Sequence, residues 1–135
     1  MLKKVLIAAL LVLLISLPGV IAAQDVPSGK WWYNKKVVKN LNLTQKEVRQ
    51  LDGLYEDSHR KLIDLKSAVK REQFELDTLL GKEPVDDAEV HKQFKRLEKA
   101  RTDLANERLG FVIRVREIIG ADRFQQLKTS YKDWR

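Results

Sequence analysis

Two histidines, His59 and His91, are the side chains best suited to chemistry near neutral pH in this sequence, which contains no cysteine. An imidazole can move a proton or bind a transition metal, and either use needs partners. Ser58 beside His59 does not form a nucleophile–base pair, because adjacent residues on a helix point apart. There is no Gly-rich phosphate loop and no Ser–His–Asp set with a common site, so the expectation is that the protein is not an enzyme. A metal needs His, Cys, Asp or Glu donors converging within about 2.0–2.3 Å of one ion. In a helical hairpin turning near residue 83, His91 lies beside residue 75. His59 is then sixteen residues further along, roughly 24 Å at about 1.5 Å per residue. The two cannot share an ion within one chain. Glu72 and Glu75 near His91 would make a poor, carboxylate-rich site. His59 and His91 are therefore weak metal candidates. No cofactor is expected, with a divalent transition metal as the alternative.

Recognition is better provided for than catalysis. Arginine offers charge on a weakly hydrated, stackable plane, and long Lys and Arg stems cover apolar area while the charge stays wet. Lys35, Lys36 and Lys39 follow the cluster Trp31-Trp32-Tyr33. Lys70, Arg71, Lys92, Lys95, Arg96 and Lys99 come later. Arg101 and Arg108 interrupt an otherwise apolar stripe. They read either as a cationic floor on a binding surface or as partners of acids across a helical seam. Two adjacent Trp on an α-helix diverge by about 100°, so they cannot face the same core. Either one lies on the surface as a contact, or both dock onto the long helices from different sides. Candidate contacts for a bound protein are Trp31, Trp32, Tyr33, Arg101 and Arg108.

The elements that must hold these residues are helical. Leu41–Leu51 reads LNLTQKEVRQL. Thr44 followed by Glu47 is a capping box, and Leu43 with Val48 can form a hydrophobic staple. Behind it, Val48, Leu51, Tyr55, Ser58, Leu62, Leu65, Val69, Glu72, Leu76 and Leu79 recur at 3–4 spacing. That predicts a helix from Gln45 to Leu80, capped by Gly81 and blocked by Pro84. A second helix starts at Asp86 or Asp87, whose acids suit the helix dipole. Its stripe is Val90, Phe94, Leu97, Arg101, Leu104, Arg108, Phe111, Val115 and Ile118, and Gly120 ends it. Phe124, Leu127, Tyr131 and Trp134 mark a last helix, with Asp122 as its cap. Residues 31–41 read as a short helix with Trp31, Val38 and Leu41 partly on one face. No strand pattern appears. The fold class is all-α: a long antiparallel hairpin with short flanking helices. A lone hairpin leaves apolar edge in water, so a homodimer is expected.

The first residues resemble an export signal. Lys3 and Lys4 precede an apolar run broken by Pro18-Gly19, and Ala22-Ala23 offer a cleavage site. Residues 1–23 then form a signal peptide and residues 24–135 a single domain. The apolar stretch is marginal for a bilayer span of about 20 residues, so no stable span is expected after cleavage. Without cysteine, lipoprotein anchoring is excluded and stability rests on packing. The formal net charge is +7. An exported basic protein meets little nucleic acid. Anionic lipid headgroups, acidic proteins or acidic unfolded segments are the expected partners. Asn42-Leu43-Thr44 spells a glycosylation acceptor, which is discounted because Thr44 is committed to the cap.

LNLTQKEVRQL resembles the LTxxQ signature of the small periplasmic Spy/CpxP family, with Leu43 and Thr44 in place and Glu47 where Gln is usual. The place of a second copy is held by IGADRFQQL, in which Leu-Thr has become Gly-Ala. The leader, the WWYNKKVVKNL segment, the helix lengths and the absence of Cys extend the likeness over most of the chain. The resemblance implies a periplasmic, all-helical, cradle-shaped and often dimeric protein. It implies ATP-independent binding of unfolded or misfolded envelope proteins, or an adaptor role toward a sensor kinase. Its alternative is a heavy-metal-binding sensor or resistance protein. The His-rich ligand pattern of that branch is missing here.

Overall fold

The computed structural model describes residue 27 and residues 29–134. The expected signal peptide lies outside them. A 3-10 turn at Trp31–Tyr33 leads into α1, Lys35–Leu41. Then follow α2, Gln45–Leu80, α3, Asp87–Ile119, and α4, Ala121–Trp134. No strand occurs among the described residues, and α2 packs along α3 as the expected hairpin.

The boundaries follow local chemistry. The Asn34 side chain accepts from the amides of Lys36 and Val37 at 2.9 and 3.4 Å and so starts α1. Asn42, at φ 52°, ends it in the left-handed conformation that Asn tolerates. Two residues later the capping box forms. The Thr44 amide donates to Glu47 Oε1 at 3.0 Å, and the Glu47 amide donates to Thr44 Oγ1 at 3.1 Å. The start of α3 falls to Asp86, whose carboxylate accepts from the Glu89 amide at 3.2 Å.

The junction of α3 and α4 corrects one expectation. Asp122 is not a cap; it sits in the first turn of a helix that already begins at Ala121. Gly120 makes this abrupt turn at φ 83° and ψ 164°, a region reached essentially by glycine alone. No spacer is left in which Asp122 could cap. A Cβ at Gly120 would meet nothing within 4 Å, so only backbone strain opposes a side chain there. Gly120→Ala is expected to lose about 1–3 kcal/mol of stability. Thermal unfolding checks it, and an unchanged Tm would mean that this turn is not held in solution.

In the hairpin, Tyr55 faces Phe111 at 6.5 Å, and Gln93 Nε2 donates to the carbonyl of Glu72 at 3.0 Å. This is the register that a turn near residue 83 sets. Every member of the α2 stripe is buried or half-buried. The α3 stripe holds except at Phe94 and Arg108, which are exposed. Gln93 is buried where Phe94 was expected, and Phe94 is 47% exposed. Gln93 can occupy the seam because Glu72 satisfies its amide through both carbonyl and carboxylate. Phe94, one residue on, is rotated by about 100° toward water.

Most of the core lies at one end. Trp31, Trp32, Val37, Leu41, Leu51, Val115, Ile119 and Leu127 form a single buried cluster where the 3-10 turn, α1 and α4 close over the hairpin. On α1 it is Val37, not Val38, that pairs with Leu41, since i and i+4 share a face. Toward Gly81 only two helices remain, and the buried residues of α3 there are Gln93, Leu97 and Ala100.

Candidate functional site

The aromatic cluster is a clamp rather than an exposed contact. Both tryptophans are buried, Trp31 3% and Trp32 1% exposed, so of the two arrangements the sequence left open the one in which both dock is found, and neither indole is the exposed contact that the candidate list required. The 3-10 turn sets the two rings on different sides of the chain, and both find cover because Val37, Leu41 and Leu127 close over this end of the hairpin. The rings meet edge-on at 5.4 Å, and Trp32 meets Tyr55 at 5.8 Å. Trp32 Nε1 and the Tyr33 hydroxyl each donate to Asp52, at 2.7 Å. Burial pushes the Asp52 carboxyl up, but these two bonds and the Lys30 charge outweigh it, so it lies below the usual range. Lys30 reaches Glu56 at 3.3 Å and stands 5.2 Å from the centres of the Tyr33 and Tyr55 rings. Tyr33, 56% exposed, is the member of the cluster that a partner can reach.

The clamp opens onto a groove of about 430 Å³. Tyr55, Ser58, His59, Leu62 and Lys66 line it from α2 at helical spacing, and Arg108, Phe111 and Val112 from α3; Pro27 and Gly29 line it as well. His59 lies flat on Tyr55, 5.4 Å between rings and 10° between planes. The two candidate arginines diverge here. Arg101 bonds Glu98 at 2.8 Å and, across the hairpin, Gln73 Oε1 at 3.3 Å, so it belongs to the seam. Arg108 is exposed and has no ion-pair partner among the described residues.

Arg123 is the residue that sequence reasoning missed. Its guanidinium donates to both carboxylate oxygens of Glu47, at 3.0 Å for Oε1. It also donates to the carbonyls of Leu41, Asn42 and Ile119. One side chain thus ties the end of α1, the start of α2, the end of α3 and α4 together. Bonds from Arg123 hold the Glu47 carboxyl at about 2 against the opposing effect of burial, with the Thr44 bonds helping. A signal existed: a capping box is served equally by Gln, so the acid at residue 47 asked for a cation. Its partner lies in ADRFQ, the stretch standing where a second motif copy was sought.

A family model described as heavy-metal resistance matches residues 5–126. The chain belongs to this family. Comparisons with curated proteins and with solved structures each returned no match. The heavy-metal resistance family takes in the Spy/CpxP-like periplasmic proteins, as the LNLTQKEVRQL stretch suggested.

The family's description raises a metal, and the donor set does not fit one. Among the described residues no three of His, Asp and Glu converge as a metal would require. His59 is stacked in the groove. His91 is exposed, with Nδ1 at 2.9 Å from the Asp87 carbonyl and 3.6 Å from its carboxylate. Glu72, expected near His91, instead accepts from Gln93 at 2.6 Å. No step of function is therefore routed through a metal in this heavy-metal resistance family member.

Proposed function

We propose that the protein is a periplasmic, non-enzymatic, ATP-independent chaperone or envelope-stress adaptor that holds unfolded proteins on the hairpin surface. The observation that carries this reading is large apolar side chains left in water beside cations. On α2, Ile63 and Phe74 are 54% and 68% exposed, and Lys70 lies on the same face at helical spacing. On α3, Leu109 and Ile113 are 49% and 48% exposed, and Arg116 follows one turn on. Such a surface attracts acidic segments over distance and then holds apolar ones by contact. Each side chain offers about 1.5–3 kcal/mol on full burial, so single contacts are weak and clients leave without ATP. Trp31 and Trp32 drop out as contacts because they are buried, while Tyr33 remains available. The thinly covered distal hairpin also favours the homodimer, which sedimentation equilibrium tests; a monomer at every concentration removes that part.

The test of holding is aggregation of a reduced model client. Equimolar protein should suppress light scattering, less so in high salt. Ile63→Ser with Phe74→Ser should abolish most of the effect while leaving the fold intact, since both residues are exposed. If the parent protein gives no suppression at any ratio, the reading fails.

A further inference from the structure

We infer that the groove between α2 and α3 is a binding site for an aliphatic carboxylate of fatty-acid type. This stands apart from client holding, which uses the outer faces of the hairpin. Three observations point to an anionic amphiphile. Tyr55, Leu62, Phe111 and Val112 give the groove apolar walls, while Lys66 and Arg108 supply charge, and no acid lines it. Neither cation has an ion-pair partner among the described residues, although Arg101, Arg114 and Arg123 all do. Ser58 is 2% exposed and lines the groove, yet its hydroxyl has no hydrogen-bond partner. Buried hydroxyls are normally satisfied, so an unpaired one facing a cationic groove fits an arriving acceptor.

The dimensions favour a small molecule. About 430 Å³ lies within the range of small-ligand sites, about 300–1,000 Å³. From Tyr55 to Lys66 the groove runs roughly 16 Å along α2, long enough for an extended alkyl chain. A carboxylate can take a forked bond from Arg108 and a further one from the Ser58 hydroxyl. The tail then runs past Leu62, one turn along the same face of α2 from Ser58.

Calorimetry with dodecanoate below its micelle concentration tests this on the purified protein. Dodecanoate should bind saturably, one per chain. Decanoate should bind about fifteenfold more weakly, at roughly fourfold per CH₂. Arg108→Gln with Lys66→Gln should weaken dodecanoate at least tenfold and leave dodecanol, with the same tail, unchanged. Phe74→Ser, outside the groove, should bind as the parent does. The inference is overturned by absent saturation, by equal affinity for dodecanol and dodecanoate, or by binding that ignores the two cation substitutions. It is also overturned if Phe74→Ser weakens binding as much as they do, which would mean general adsorption to apolar surface.

Discussion

Arg123→Ala is expected to remove about 2–3 kcal/mol of stability at pH 7 and the part of the protein's acid sensitivity that comes from the Glu47 bridge. The size comes from Glu47, whose carboxyl is held at about 2 against an ordinary 4.5. At about 1.36 kcal/mol per pH unit, that shift is worth roughly 3 kcal/mol at neutral pH. The pair is sheltered, with side chains 29% and 14% exposed, so solvent screens it only in part. The Thr44 bonds survive the substitution and keep some of the depression. The sign follows from the direction. A lowered folded value adds stability that is complete above about 4.5 and is lost as pH falls toward about 2. Urea unfolding at pH 7, 5 and 3 should show the parent weakening over that window and Arg123→Ala weakening less, since the Thr44 bonds to Glu47 and the depressed Asp52 carboxyl remain. Arg123→Lys should recover only part, because an ammonium keeps the charge but cannot bridge both carboxylate oxygens and the carbonyls of Leu41, Asn42 and Ile119. A variant within about 0.5 kcal/mol of the parent would mean that the bridge is open to water in solution.

Trp32→Ala is expected to be the more severe change, about 3–5 kcal/mol, which rivals the whole stability of a small domain. The ring is 1% exposed, meets Trp31 and Tyr55 edge-on, and its Nε1 holds Asp52. Truncation empties that volume and strips Asp52 of one of its two side-chain donors. Trp32→Phe separates the effects. It refills much of the space but leaves the Asp52 oxygen short of a donor, at about 1–3 kcal/mol. Chemical unfolding of both variants, with Phe94→Ala as an exposed control near parental stability, measures the difference. Should Trp32→Ala unfold like the parent, the clamp is not formed in solution. If the proposed client holding is lost in Trp32→Ala, that loss reports unfolding of the core end, not a missing client contact.

The two long helices were legible because their information is local. A 3–4 stripe running from Val48 to Leu79, the Thr44–Glu47 box, Asp86 and the Gly81–Pro84 break each act within a turn or two of chain. Hairpin register followed from the position of the turn, and the Gln93–Glu72 and Tyr55–Phe111 contacts obey it. On α3 the stripe held at Leu97 and Val115 but failed at Phe94, which an apolar pattern selects. Gln93 enters the seam only when a partner for its amide exists on the other helix. For the Trp pair the sequence left two arrangements open, and the packing of Val37, Leu41 and Leu127 into the same cluster decided that both indoles are buried.

For the site, the boundary is the same. Composition and spacing by themselves determined an all-helical hairpin, a basic composition and two histidines too far apart on its helices to share an ion, while the LNLTQKEVRQL stretch carried the resemblance to the family. Tertiary structure alone decided which cations are free. Arg101, Arg108 and Arg123 look alike in sequence, yet one is tied into the hairpin seam, one lines a groove without an ion-pair partner and one braces four helices. That division depends on acids and carbonyls brought from as far as 82 residues away. The pairing of a long side chain is set by whatever the closed fold places within about 3 Å of it, and helical periodicity carries no record of that distance.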